Sequence, residues 1–96
     1  MKPEAIQVGK TYEGRPCSPR GTAPQRTVVA LETGTPPYGA GWIWREGHRE
    51  IVRNRLAPLV RYRNGATPGN TARLRGREYT CTLATFAAWA RREVPS

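Results

Sequence analysis

The chain has few of the side chains that most often act as catalytic bases or metal ligands. It contains no aspartate and a single histidine, His48, and its only carboxylate side chains are seven scattered glutamates. Closely spaced Asp and Glu residues form the usual Mg²⁺ and Ca²⁺ sites, and one histidine with two cysteines cannot supply the four ligands of a structural zinc ion. The sequence therefore predicts that the protein is not an enzyme, with no catalytic residue, no metal site and no cofactor.

Cysteines and long apolar runs are also scarce. The two cysteines, Cys17 and Cys81, are far apart in the sequence, which favours free thiols over a disulfide framework. The N-terminal residues lack the apolar core of a signal peptide, and no stretch approaches the roughly 18 apolar residues of a membrane span. We expect a cytoplasmic protein that makes no membrane contact.

The overall composition limits the fold class. A chain of 96 residues is the size of one domain, and a domain this small has a thin core. Only 38% of the residues are hydrophobic, and 10 Gly and 9 Pro favour turns and short strands over a helical bundle. We predict a single mainly β (α+β) domain over residues 1–96, built as a small antiparallel barrel or curled sheet of about five strands.

Local patterns predict four main-sheet strands and two loops. Residues 1–5 are expected to be frayed, and Ile6, Val8 and Tyr12 indicate a first strand interrupted at Gly9. The β-branched run at 26–33 is typical of a strand buried on both faces. Residues 58–65 alternate, with Val60 and Tyr62 on one face and Leu59, Arg61 and Arg63 on the other, and 77–82 form a last strand. Residues 14–25 and 65–73 are rich in Gly, Pro and polar residues and are predicted loops.

A hairpin is predicted over residues 42–51, within a segment, 35–57, that could be an insertion. A tight turn at Glu46 and Gly47 would place Arg45 opposite His48, with two further pairs, Trp44 with Arg49 and Trp42 with Ile51. An alternative interpretation makes HREIVRNRL, residues 48–56, one short helix that ends before Pro58.

The C-terminal segment predicts an α-helix over about 83–94. Its apolar residues lie on one face of a helix with 3.6 residues per turn: Leu83, Phe86, Ala87, Ala90 and Val94. Thr82 is a suitable N-cap and Pro95 would end the helix. Arg91 and Arg92 would then lie in the last turn, where cations suit the helix dipole.

Basic charge interleaved with aromatic residues is the only functional signal. Sixteen Lys and Arg against seven Glu give a net charge of +9, which favours an anionic partner such as nucleic acid. The candidate nucleic-acid-binding residues are Trp42, Trp44, Arg45, Arg49, Arg61, Arg63, Arg73, Arg75 and Arg77. Two alternatives stay open: arginines that merely solvate the surface of a protein with GC-rich codons, and a protein partner, including a second copy of the chain.

Several short motifs together resemble small bacteriophage or prophage proteins with an SH3-like barrel. The matching residues are Gly9, Tyr12, Arg26, Val28, Leu31, Val60, Tyr62, Cys81, Phe86 and Trp89. The resemblance implies an SH3-like barrel in a bacterial host's cytoplasm, with residues 35–57 inserted between two central strands. It implies no catalytic residue and no cofactor. Phage proteins of this size include DNA-associated accessory proteins and inhibitors of host defence, so both a nucleic-acid partner and a host or phage protein partner fit.

Overall fold

The computed structural model describes residues 1–16, 23–35, 42–45, 47–51, 56–65 and 75–95, and for 42–45 and 49–51 it describes the backbone. Of the predicted loops, residues 17–22 and 66–73 lie outside the described residues, as do residue 74 and residues 36–41, 46 and 52–55 of the predicted insertion. Gln25, assigned to the first loop from the sequence, already belongs to a strand.

Five antiparallel strands form one sheet. In chain order they are β1 (Thr11–Glu13), β2 (Gln25–Gly34), β5 (Ala57–Asn64), β6 (Glu78–Thr82) and β7 (Arg92–Glu93), and their spatial order is β6-β5-β2-β1-β7. The predicted mainly β fold with a C-terminal helix is confirmed. No pairing joins β6 to β7 in the described part of the chain, so the sheet is unclosed and a barrel is not confirmed.

The two central strands differ in how deeply they are buried. Along β5, Val60 and Tyr62 are buried and Arg61 and Arg63 are exposed, as predicted. The expectation that residues 26–33 are buried on both faces is wrong, because only Val28 is fully buried there. Pairing of β2 with β5 shifts by one residue after Val28, and beyond this bulge the strand contributes little to the core.

A short helix, α1 (Leu83–Trp89), covers one face of the sheet, which we call the core face. Phe86 lies at the centre of the core with no exposed surface, and Tyr12, Val28, Val60 and Tyr62 pack around it or close to it. The predicted N-cap is confirmed, since the Thr85 N–H donates to the Thr82 hydroxyl at 3.3 Å.

The C-terminal helix is shorter than predicted. Helical geometry ends at Ala90, whose backbone is extended at φ −72° and ψ 125°. The next residues form β7 against β1, where the Arg91 N–H donates to the Glu13 carbonyl and the Val94 N–H donates to the Thr11 carbonyl, each at 2.8 Å. The placement of Arg91, Arg92 and Val94 on the helix is therefore wrong: pairing with an open strand edge replaces the last helical turn.

The N-terminal segment also differs from its prediction. Residues 1–5, expected to fray, include a 3-10 turn at Pro3–Ala5, and the first strand begins only at Thr11 after a turn through Gly9 at φ +85°. The buried Tyr12 hydroxyl ties this segment down. It donates to the Ala5 carbonyl at 3.0 Å and accepts from the Gln7 N–H at 2.8 Å.

The predicted hairpin is confirmed as a separate two-stranded sheet. Strands β3 (Trp42–Arg45) and β4 (His48–Ile51) pair antiparallel in the predicted register, with Arg45 opposite His48 and Trp42 opposite Ile51. Gly47 adopts φ +78° in the turn. Because residues 48–51 are a strand, the alternative of a helix over 48–56 is wrong for them.

Candidate nucleic-acid interface

The predicted interface residues of the hairpin occupy adjacent strands. Trp42, Trp44 and Arg45 belong to β3, and Arg49 pairs with Trp44 from β4. The side chains of these four residues, and the whole of Arg73, lie outside the described residues. Recognition through exposed tryptophans therefore remains a prediction.

Arg61 and Arg63 lie on the face of the sheet opposite the core face, and glutamates accompany them. Arg61 is 3.6 Å from a carboxylate oxygen of Glu32 and 3.9 Å from one of Glu78, and Arg63 donates to Glu78 at 3.0 Å. We call these four residues the charge-paired group. Their formal charges sum to zero, and the half-exposed pairs add little to stability.

Arg75 and Arg77 lie where β6 begins, beside the end of β5. The Gly76 N–H donates to the Asn64 carbonyl at 2.7 Å, and the Asn64 N–H donates to the Arg77 carbonyl at 2.9 Å. Gly76 adopts φ +83°, so Gly76 and Arg77 face Asn64 as a β-bulge. The two arginines are exposed, and neither forms an ion pair with a carboxylate in the ranges that the structure covers.

Arg26 has a role that the sequence did not reveal. Its guanidinium lies 4.6 Å from the centre of the Tyr62 ring and 4.1 Å from that of the Trp89 ring. Such cation–π contacts hold the guanidinium plane in place. The sequence marks Arg26 only as the start of a strand, because its two aromatic partners come from β5 and α1, more than thirty residues away.

The planar groups of the core face form a continuous series. Trp89 contacts Arg26, Arg26 contacts Tyr62, and the Tyr62 ring lies 6.0 Å from that of Tyr79 on β6. We call Arg26, Tyr62, Arg77, Tyr79 and Trp89 the arginine–aromatic cluster. Tyr62 is buried, whereas Tyr79 is 37% exposed at the edge of the sheet.

Strand register sorts the charges of β2, β5 and β6 by face. Glu78 pairs with Arg63 and Glu32 pairs with Leu59, so both glutamates share the face of Arg61 and Arg63. Arg77 is two residues before Tyr79 and shares its face, since side chains alternate along a strand. Among the described residues of these three strands, the core face carries Arg26 and no carboxylate, and Arg77 adds a second arginine to that face just before β6.

Nucleophilic and metal chemistry find no support in the described residues. Burial raises the pKa of the Cys81 thiol to about 11, so the thiol is protonated and unreactive at neutral pH. His48 is exposed at the start of β4. No group of three or more potential metal ligands is found among the residues that the structure describes.

A cleft of about 480 Å³ lies near the β7 edge of the sheet, between the Gly9 turn and β7. Lys10 and Glu93 line it and form an ion pair at 3.5 Å, while Val8, Val94 and Pro95 supply apolar walls. Lys10 and Glu93 are the charged groups among the described residues that line it, and they neutralise each other, so this part of the lining favours neither an anionic nor a cationic ligand.

Helices capable of crossing a membrane are absent from the described ranges. Comparison with known proteins gives no further guide to the site: no protein-family model matches the chain, and neither the curated proteins nor the solved structures contain a significant match.

Proposed function

We propose that the protein is a non-catalytic binding protein of phage or prophage origin that contacts nucleic acid through a basic and aromatic surface. One observation carries the proposal. The carboxylates of β2 and β6 lie in the charge-paired group on one face. On the other face Arg26 contacts Tyr62 and Trp89, and Arg77 shares the face of the exposed Tyr79.

This arrangement suits a polyanion for two reasons. Arginines without local carboxylates can replace the counterions of phosphate groups, and the release of those ions drives most non-specific nucleic-acid binding. Neighbouring aromatic rings add contacts to bases. The net charge of +9 strengthens the attraction over the whole surface.

The proposal extends to the hairpin and to the remaining arginines predicted from the sequence. Trp42, Trp44, Arg45 and Arg49 would add a second aromatic and basic element, and Arg73 would lie close to Arg75. An SH3-like barrel plan and residence in the cytoplasm of a bacterial host are also part of it. An experimental structure with β6 and β7 joined across the opening would support the barrel.

Fluorescence anisotropy with labelled single- and double-stranded oligonucleotides tests the proposal. We expect binding at micromolar protein that weakens steeply between low and moderate salt, because each phosphate contact adds to the salt dependence. Absence of salt-dependent binding to either kind of oligonucleotide would refute a nucleic-acid function.

A protein partner is the second candidate, and exposed apolar side chains favour it. Leu56 is 74% exposed and Leu31 is 44% exposed, and β6 forms one edge of the described sheet, where another chain could pair. Such a partner would be a host or phage protein or a second copy of the chain. Light scattering and a pull-down from bacterial lysate test this candidate, and a strict monomer that retains nucleic acid but no protein would contradict it.

A further inference from the structure

We infer that Tyr79 is a stacking platform for an unpaired base, with Arg77 contacting the adjacent phosphate, so that the nucleic acid bound is single-stranded. This inference rests on the proposed nucleic-acid function and specifies its ligand class. It concerns the arginine–aromatic cluster, not the hairpin.

The Tyr79 ring is both accessible and held in position. It is 37% exposed on β6, which has no neighbouring strand on its outer side in the described sheet. Behind it, the Tyr62 ring lies 6.0 Å away at an interplanar angle of 34°. Tyr79 therefore keeps accessible surface at the edge of the sheet while a neighbouring ring holds its position.

The support extends deep into the core. Tyr62 is fixed by the Arg26 guanidinium and by Phe86, whose ring centre is 5.6 Å away, and Arg26 is in turn held by Trp89. Stacking an additional base on Tyr79 would therefore order few side chains. A pre-organised surface loses little conformational entropy on binding.

Phosphate contacts would come from the start of β6. Arg77 lies on the same face as Tyr79 and two residues before it, and Arg75 is exposed in the adjoining turn. Asn64 on β5 lies between Arg26 on β2 and Arg77 just before β6. The backbones of the two arginines are therefore about 10 Å apart across the sheet. The nearest acidic residue in sequence, Glu78, lies on the opposite face with Arg63.

The exposed Tyr79 ring favours single strands because an unpaired base has a free face on which the ring can stack. In a duplex both faces of each internal base are occupied by its neighbours, so a ring on a protein surface cannot stack on it without disrupting the helix. An unpaired base leaves its face free, and every base has one, so binding would tolerate many sequences.

Anisotropy titrations with a labelled oligothymidylate, the same strand lacking its bases, and a matched duplex separate stacking from charge. Tyr79→Thr removes the ring from a strand position, and Tyr79→Phe keeps it. Leu31→Thr removes a comparably exposed apolar side chain from β2, and Arg92→Gln removes one positive charge from the far edge of the sheet.

We expect the wild type to bind oligothymidylate more tightly than the duplex. Tyr79→Thr should weaken binding of the base-bearing strand about 5- to 150-fold, which is the range for one stacked base, and leave the strand lacking bases unaffected. Tyr79→Phe and Leu31→Thr should stay within about twofold of the wild type, because both variants keep an aromatic ring at position 79. Arg77→Gln should lower the salt-dependence slope by about 0.7, the value for one single-strand phosphate contact, and Arg92→Gln should not.

Photo-crosslinking of wild-type protein to a strand containing 5-iodouracil gives a second readout that needs no variant. A crosslinked peptide containing Tyr79 supports the inference. A duplex preference, or unchanged binding by Tyr79→Thr together with crosslinks elsewhere, overturns it while nucleic-acid binding stands. Failure of the wild type to bind any oligonucleotide instead refutes the proposed function itself.

Discussion

Replacing Phe86 with alanine would remove the ring on which the three other described aromatic side chains of the core pack. Phe86 has no exposed surface, and its ring centre lies 5.8 Å from that of Tyr12, 5.6 Å from Tyr62 and 5.3 Å from Trp89. The contact with Tyr12 is edge-to-face, at an interplanar angle of 89°. No other described side chain joins α1 to both β1 and β5 through ring contacts.

The expected loss is a large part of the total stability. Truncation of a buried Phe to Ala costs about 3–5 kcal/mol, because burial is lost and a cavity remains. A domain of 96 residues is stabilised by about 5–14 kcal/mol in all. Phe86→Leu keeps most of the buried volume and loses the ring pairs, each worth about 0.5–1.5 kcal/mol, so its effect should be intermediate.

Denaturant unfolding followed by circular dichroism measures these losses. Ala88→Gln on the exposed side of the same helix is the matched control, and we expect it to change the free energy of unfolding by less than about 0.5 kcal/mol. A loss below about 1 kcal/mol for Phe86→Ala, with an unchanged denaturant dependence, would show that the ring is not buried as described. It would also return α1 to the set of candidate binding surfaces.

Three further changes test the core. Tyr12→Phe should lower the free energy of unfolding by about 1–3 kcal/mol, because two part-buried hydrogen bonds of the hydroxyl, each worth about 0.5–1.5 kcal/mol, are lost. An unchanged denaturation midpoint would contradict this. Gly14→Ala would bring a methyl group within 2.5–3.0 Å of the Trp89 indole. We expect the free energy of unfolding to fall by about 1–3 kcal/mol and the tryptophan emission to shift. Wild-type values for both would contradict the close approach. The free energy of unfolding should also fall as pH rises from 9.0 to about 11. The Cys81 thiol has a pKa of 9.0 in the unfolded chain and about 11 in the folded one, so the unfolded state loses its proton first. The fall should amount to about 2–3 kcal/mol. Denaturation of Cys81→Ala over the same pH range should show a smaller decline, and an equal one would assign the effect to other groups.

The hairpin was predictable because everything that determines it is local. The turn requires a positive φ at Gly47, and the residues on both sides of it alternate with period two. One strand register satisfies both features, and it pairs Arg45 with His48. The N-cap at Thr82 was predictable for the same reason, since the hydroxyl and the Thr85 N–H that it receives are three residues apart.

The end of the C-terminal helix was not predictable from local pattern. The periodicity that begins at Leu83 includes Val94 by spacing alone, although Val94 leaves the helix and donates its N–H to Thr11. The competing partner is the free edge of β1, about eighty residues earlier in the chain. A helix of seven residues is also short enough that one edge pairing outweighs a further helical turn.

The arginine–aromatic cluster shows why closeness in sequence does not predict which arginines share a surface. The sequence groups Arg61, Arg63 and Arg77 because they are close in number, yet register puts the first two with Glu78 and the third with Tyr79. A slip of β6 by one residue would bring Glu78 to the core face and move Cys81 to the opposite face. Burial of Cys81 opposite Val60 opposes that slip. The packing that stabilises the sheet therefore also keeps carboxylates away from Arg77, so one strand pairing determines both the core and the charge pattern.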